Sequence, residues 1–288
     1  MSSHPVQIDL ETSRFAFMAR RFLAGFGLGQ LPAPDGESLR SIYHAFTSLP
    51  YENVSKIIKS RAAEGDHRIV PALRPPEEVL EGWLTSRLGG TCFSLTHCLY
   101  SLLRLCGFPA YRVLGDMRHG ENIHCAVIAT AGTRRYLCDA GYLLPEPLLL
   151  APDGRSELAG PVYRYLLQAE AGSPPNYSLY TATSAGAERW RYQIRDRAAS
   201  DAEFEYHWAR SFTAPMNDQL VLGRNSAEAQ IYVHKANLRF TSAGGKKNRN
   251  IGSSVGLSVQ ELFGIEAELV ERAYELTESF KRAARGYR

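Results

Sequence analysis

Apolar residues recur at helical spacing through the first third of the chain. Phe15, Met18, Ala19, Phe22 and Leu23 share one face of a helix expected over residues 10–30, which Gly25, Gly27 and Gly29 end. Leu31-Pro32-Ala33-Pro34-Asp35-Gly36 follows as a loop. Leu39, Ile42, Tyr43 and Phe46 predict a second helix from Ser38 to Ser48. Leu49-Pro50-Tyr51-Glu52-Asn53-Val54 reads as a turn, and the polar run from Lys59 to Pro76 as an exposed stretch. Pro75-Pro76 opens a third helix over Glu77–Thr85. Next comes Gly89-Gly90-Thr91-Cys92, leading into an apolar run from Cys98 to Leu105. The paired glycines are expected to turn the chain sharply into a helix that begins near Cys92.

Past Gly107-Phe108-Pro109 the period shortens to that of strands. Tyr111–Leu114, Ile123–Thr130 and Arg134–Cys138 are predicted strands. Shorter ones follow at Leu148–Leu150, Tyr163–Tyr165, Ser178–Tyr180 and Trp190–Tyr192, separated by turn signals such as Asp153-Gly154 and Pro174-Pro175. This spacing suggests a small antiparallel barrel or sandwich. The remainder is mixed: a helix over Asp201–Trp208, strands at Gln219–Gly223, Gln230–Val233 and Asn237–Thr241, then helices at Ser258–Phe263 and Glu266–Arg282. The expected organisation is α+β in three parts: helical over 1–106, β over 107–200, and α/β over 201–288.

Composition changes this picture little. The 288 residues are 44% hydrophobic and 22% charged, as in ordinary globular proteins. A net charge of +3 is too small to argue for nucleic acid. No apolar run approaches the roughly 20 residues of a membrane span, and the N-terminus lacks the pattern of a secretory signal. Five cysteines, an odd number, point to a reducing, cytoplasmic setting rather than a disulfide scaffold. Their spacing lacks the close pairs of a zinc site, so no metal is expected.

Candidate chemistry lies where the helices give way to strands. A cysteine at a helix N-terminus meets partial positive charge and unpaired N–H groups, which favour the reactive thiolate. Taken alone, Cys92 reads more readily as a buried structural cysteine. His124, in an apolar strand, and Asp139, ending the next, add to it. With Ala131 and Gly132 as the turn residues of the hairpin, His124 and Asp139 stand directly opposite, with Cβ atoms about 5 Å apart. A carboxylate beside one imidazole nitrogen fixes the tautomer and leaves the other nitrogen free as a base. Cys92, His124 and Asp139 then form a nucleophile, base and orienter. His97, His119, His207 and His234 lack such a partner set.

Gly89-Gly90-Thr91-Cys92-Phe93 resembles the nucleophile motif of the arylamine N-acetyltransferases. His124, with Asp139-Ala140-Gly141-Tyr142, resembles that family's histidine and its Asp-Val-Gly-Phe. Leu49-Pro50-Tyr51-Glu52-Asn53-Val54 resembles its Val-Pro-Phe-Glu-Asn-Leu. Asn217–Arg224 and Val259–Ile265 are similar to later family segments, so the likeness runs in order from about residue 15 to 265. It implies a helical domain carrying the cysteine, a β-barrel carrying the histidine and aspartate, and an α/β lid. It also implies ping-pong transfer from a thioester, acetyl-CoA or another acyl-CoA or acyl-carrier thioester, through acyl-Cys92 to a small amine. Phe93 and Tyr142 are expected to wall the acceptor, and Lys246 and Lys247, after Gly244-Gly245, to meet a donor phosphate. The chain departs from the family at Leu88, where arginine is usual, and at Ser94 and Thr96. Those departures make a specialised donor or acceptor a serious reading. A thiol hydrolase or transglutaminase-like enzyme would use the same triad, and a non-catalytic thioester-binding relative remains a third reading.

Overall fold

The helix that begins at Cys92 is the pivot of the architecture. The computed structural model describes residues 13–29, 33–62, 73–151, 154–173, 175–183 and 186–286, with side chains as far as residue 277. The start of the helix expected from residue 10, part of the 31–36 loop, residues 63–72 of the polar run, Asp153 and Pro174 lie outside them. Helices α1 (Arg14–Ala24), α2 (Gly36–Phe46) and α4 (Pro76–Ser86) pack with α5 (Cys92–Leu105). The Ser13 hydroxyl caps α1 at 3.2 Å from the Ala16 N–H, and the Asp35 carboxylate caps α2 at 2.8 Å from that of Ser38. Proline opens α4 at its first helical position, and Arg87 ends it in the left-handed region with φ 56°.

Eight antiparallel strands form one curled sheet in the order β5-β4-β3-β2-β9-β8-β7-β6. They are β2 (Ala110–Met117), β3 (Gly120–Ala131), β4 (Arg134–Cys138), β5 (Leu148–Leu149), β6 (Arg155–Ala159), β7 (Arg164–Glu170), β8 (Asn176–Ala182) and β9 (Arg189–Arg195). The edge strands β5 and β6 touch, so the sheet nearly closes into a barrel. Leu99, Leu102 and Leu103 of α5 share one buried core with Val113, Val127 and Ile128 of β2 and β3. The helical part and the barrel are therefore welded through α5, which fixes its N-terminus against the sheet.

The third part is a five-stranded sheet, β1-β10-β11-β12-β13, under two helices. Its strands are β1 (Tyr51–Glu52), β10 (Val221–Asn225), β11 (Ala229–His234), β12 (Asn237–Ser242) and β13 (Gly245–Asn250); its helices are α7 (Val255–Phe263) and α8 (Ala267–Gly286). Helix α6 (Asp201–Arg210) leads into it from the barrel. The Leu49–Val54 turn is more than a turn. Tyr51 and Glu52 pair with Gly223 and Leu222, and α3 (Val54–Ala62) puts Val54 and Ile57 into the core of Leu222, Val233, Val259 and Val270. The Asn53 side chain ties this crossing, accepting from the Val221 N–H at 2.8 Å and donating to the Gln219 carbonyl at 2.7 Å. The polar run is not wholly exposed either: α3 runs into it, and Arg74 is buried. Three strands escaped the sequence pattern: β1, β6 and β13, the last an edge strand of fully polar composition.

Candidate active site

Cys92 occupies the first position of α5, with Thr91 in extended conformation before it. Neither Gly89 nor Gly90 has positive φ; their role is close approach. A Cβ on Gly89 would lie 1.9 Å from the Pro50 carbonyl oxygen. The Glu52 N–H donates to the Gly90 carbonyl at 2.9 Å, so β1 and the glycine turn run side by side. On the other flank, a Cβ on Gly141 would come within 2.9 Å of the Cys92 Cα. The glycine of the Asp-Ala-Gly-Tyr segment is there so that the chain after β4 can lie on the Cys92 backbone.

Arg74 supports this turn from beneath. Its guanidinium is 5% exposed and donates to the Gly89 carbonyl at 2.6 Å and to Ser55 Oγ at 2.7 Å. It also lies 3.5 Å from a carboxylate oxygen of Glu52, which is fully buried and accepts from the Ser55 N–H at 2.9 Å. A guanidinium thus reaches the turn from a segment well before it, while Leu88 packs into the core of the third part. Ser94 Oγ donates to the Thr91 carbonyl at 3.0 Å, and Thr96 Oγ1 to the Cys125 carbonyl at 3.0 Å, the latter joining α5 to β3.

His124 and Asp139 do meet, in a different register from the expected one. Gly132, with φ 60°, and Thr133 form the hairpin turn, so Ala131 pairs with Arg134 and Val127 with Cys138. Asp139 lies just past the end of β4 and is diagonal to His124 instead of opposite it. The shift is by two residues, and side chains alternate with a period of two, so both stay on one face. His124 Nε2 lies 2.7 Å from Asp139 Oδ2. The carboxylate is fully buried and accepts twice more, from Tyr192 O–H at 2.5 Å and from the Tyr142 N–H at 2.8 Å. Burial alone would favour a neutral ring. The charge and hydrogen bond of Asp139, joined by the Cys92 sulfur, overcome it and raise the His124 pKa to about 10.

Cys92 is half-buried; the other four cysteines are buried, and all five are free thiols. The Cys92 thiol is held well below its ordinary range. A hydrogen bond from the Cys125 thiol is the largest cause; burial opposes it, and the His124 imidazole and the Lys56 ammonium add to it. Burial pushes the thiol of Cys106 up to about 12 and those of Cys98 and Cys138 up further. With Nε2 on Asp139, Nδ1 is the ring nitrogen left for the sulfur.

Cys92 lines two adjoining clefts. The larger, of about 950 Å³, has Lys56 with Arg118, Arg189, Arg191 and Arg210 on its wall against one acid, Glu121. The smaller, of about 350 Å³, is walled by Tyr51, Tyr142, Tyr163, Tyr165 and Tyr232. Tyr142 lines both clefts, 6.2 Å ring to ring from His124. Phe93 lines neither. It is fully buried and packs at 5.3 Å on the Phe204 ring, supporting α5 from behind. Lys246 and Lys247 sit exposed on β13 and line neither cleft. His97 is paired with Arg112 at 3.0 Å, and burial and that cation lower its pKa to about 4. Lys56, Arg74, Cys125 and Tyr192 were missed. Each reaches the site from another element and carries no local motif; the turn-like Glu52-Asn53 was the one signal near Lys56.

Among the described residues no helix is long and apolar enough to cross a membrane. A family model described as N-acetyltransferase matches residues 35–270. Among solved structures, the arylamine N-acetyltransferase of Nocardia farcinica is 20% identical, covering 93% of this chain and 94% of its own with a TM-score of 0.71. That of Salmonella typhimurium is 19% identical, covering 90% and 98% with a TM-score of 0.71. A Bacillus cereus arylamine N-acetyltransferase, described as having a Cys-His-Glu catalytic triad, is 18% identical and covers 86% and 98% with a TM-score of 0.68. At such identities the likeness shows the fold. A search of curated proteins found no match. The family model spans most of the chain, from before α2 into α8, and the chain belongs to the arylamine N-acetyltransferase family.

Proposed function

We propose that the protein transfers an acyl group from a thioester, with acetyl-CoA the first donor to test, through acyl-Cys92 to a small amine. The observation that supports this reading is the buried His124–Asp139 pair, joined at 2.7 Å with the carboxylate accepting three hydrogen bonds, together with the half-buried Cys92 at the start of α5. Proton transfer from Cys92 to His124 Nδ1 gives a thiolate and an imidazolium, and Asp139 holds the ring in place. The thiolate attacks the thioester carbonyl. Backbone N–H groups in the first turn of α5, which have no partner within the helix, receive the oxyanion. The tetrahedral intermediate collapses, the C–S bond to the donor breaks, and the departing thiol takes its proton from His124. The amine then attacks acyl-Cys92, His124 accepts its proton, and the thiolate is restored.

The two clefts suit the two halves of this exchange. The departing thiol and the incoming amine occupy the same side of the carbonyl carbon, because one attack is the reverse of the other in kind. The larger cleft is then the path of both, and the tyrosine-lined cleft is the seat of the acyl group. Arg118, Arg189, Arg191 and Arg210, rather than Lys246 and Lys247, are the cations that line the cleft at the thiol and would meet donor phosphates. The test is intact-protein mass after incubation with acetyl-CoA and longer acyl thioesters, followed by an aromatic amine. One acyl group on wild type, none on Cys92→Ala, and its discharge onto the amine are expected. Release to water alone would make the protein a thiol hydrolase, and the absence of any adduct a non-catalytic relative.

A further inference from the structure

Lys56 is a cation in an unusual place. It is only 6% exposed, yet it lines the larger cleft together with Cys92. Its ammonium has three N–H donors. Two go to Ser211, to the carbonyl at 2.9 Å and to Oγ at 2.8 Å. The ammonium sits over the Phe212 ring, 4.5 Å from its centre. No carboxylate among the described residues lies within ion-pair distance of it. A buried ammonium without a counter-ion is costly, and burial accordingly lowers its pKa, to about 8. The negative charge that most favours the ammonium is the Cys92 thiolate, which disappears once the sulfur is acylated. In that intermediate His124 has given up its proton as well, so Lys56 is then the buried cation facing the cleft beside the acyl group.

We propose that Lys56 is the subsite for an anionic group on the acceptor, so that the preferred acceptors are amines carrying a carboxylate. This rests on the acyltransferase reading, in which the acceptor enters the larger cleft after the thiol has left. The geometry fits the chemistry: a third N–H is available for a carboxylate oxygen, and Ser211 and Phe212 hold the ammonium in place. Charge-assisted hydrogen bonds of this kind are about twice as strong as neutral ones. A site built around a charged donor also discriminates against a ligand that leaves the donor unpaired. Arg191, half-buried on the same wall and held by Thr181 at 2.6 Å, adds positive potential in the same cleft.

The experiment compares 4-aminobenzoate with its methyl ester, a neutral molecule with the same amine. Binding is measured by calorimetry on Cys92→Ala, where no thiolate competes, and turnover on the active enzyme. The expected preference for the carboxylate is at least about tenfold. It disappears in Lys56→Met and is retained in Lys56→Arg, which keeps the charge if the methionine variant folds poorly. A preference that survives Lys56→Met, or no preference in the parent protein, overturns the proposal. Turnover is repeated with acetyl-CoA and succinyl-CoA. If Lys56 instead governs the choice between these donors and not between the acceptors, the anionic group belongs to the acyl chain and the acceptor assignment is wrong. Should no thioester load Cys92 while carboxylate binding still depends on Lys56, the subsite stands and the acyltransferase reading falls.

Discussion

The chain contains the same dipeptide in two places that drew attention for different reasons. Gly89-Gly90 lies just before Cys92, and Gly244-Gly245 precedes two lysines. The first pair is packed so tightly that a single methyl group would overlap the Pro50 carbonyl, yet its backbone angles are ordinary. The second is open. Gly245 has φ 116° and no atom within 4 Å of where a Cβ would stand, and the strand after it is exposed along its length. Gly89 and Gly90 are glycine for want of space, Gly245 for a backbone angle. Only the first is locked to its surroundings, through β1, Arg74 and Gly141, and only there can side chains be held to the tolerance that chemistry needs.

Four variants sharpen that contrast. Gly89→Ala carries the largest effect, because the clash is with the Pro50 backbone and not with the end of a flexible side chain. It should cost about 4 kcal/mol or more, the range reserved for severe core disruption, in a denaturant titration. Arg74→Met should cost about 3–5 kcal/mol, since it leaves the fully buried Glu52 carboxylate without its cation. Gly245→Ala meets strain but no clash, so a loss of about 1–2 kcal/mol is expected. The double variant Lys246→Ala with Lys247→Ala should lie within about 0.5 kcal/mol of the parent and leave the KM for the acyl donor unchanged. A raised donor KM in that variant would restore β13 to the site and undo the contrast.

What the sequence made legible follows the same division. The start of α5 at Cys92 and the shared face of His124 and Asp139 depend on local periodicity, which survives even an error of two residues in register. The pairing of β1 with β10, the descent of Arg74 onto Gly89 and the reach of Tyr192 to Asp139 depend on contacts between distant segments. No nearby pattern encodes them. Lys246 and Lys247 misled because charge density along a chain says nothing about burial. Phe93 misled because successive residues of a helix point about 100° apart, so the residue after Cys92 turns away from the cleft into the core.

The central claim is that Cys92 is a thiolate at neutral pH, held by His124 and Asp139. The pH dependence of its alkylation by iodoacetamide, located by mass spectrometry, tests it most directly. The pKa of Cys92 is lowered, so the thiolate persists as pH falls below the ordinary thiol value of about 8.5. That of His124 is raised to about 10, so the imidazolium persists as pH climbs through neutrality. Labelling of Cys92 alone, at a rate nearly flat from about pH 6 to pH 9 and falling only in acid, is the predicted result. A rate that climbs steadily with pH toward the ordinary thiol value, or equal labelling of Cys98, Cys106, Cys125 or Cys138, would contradict it.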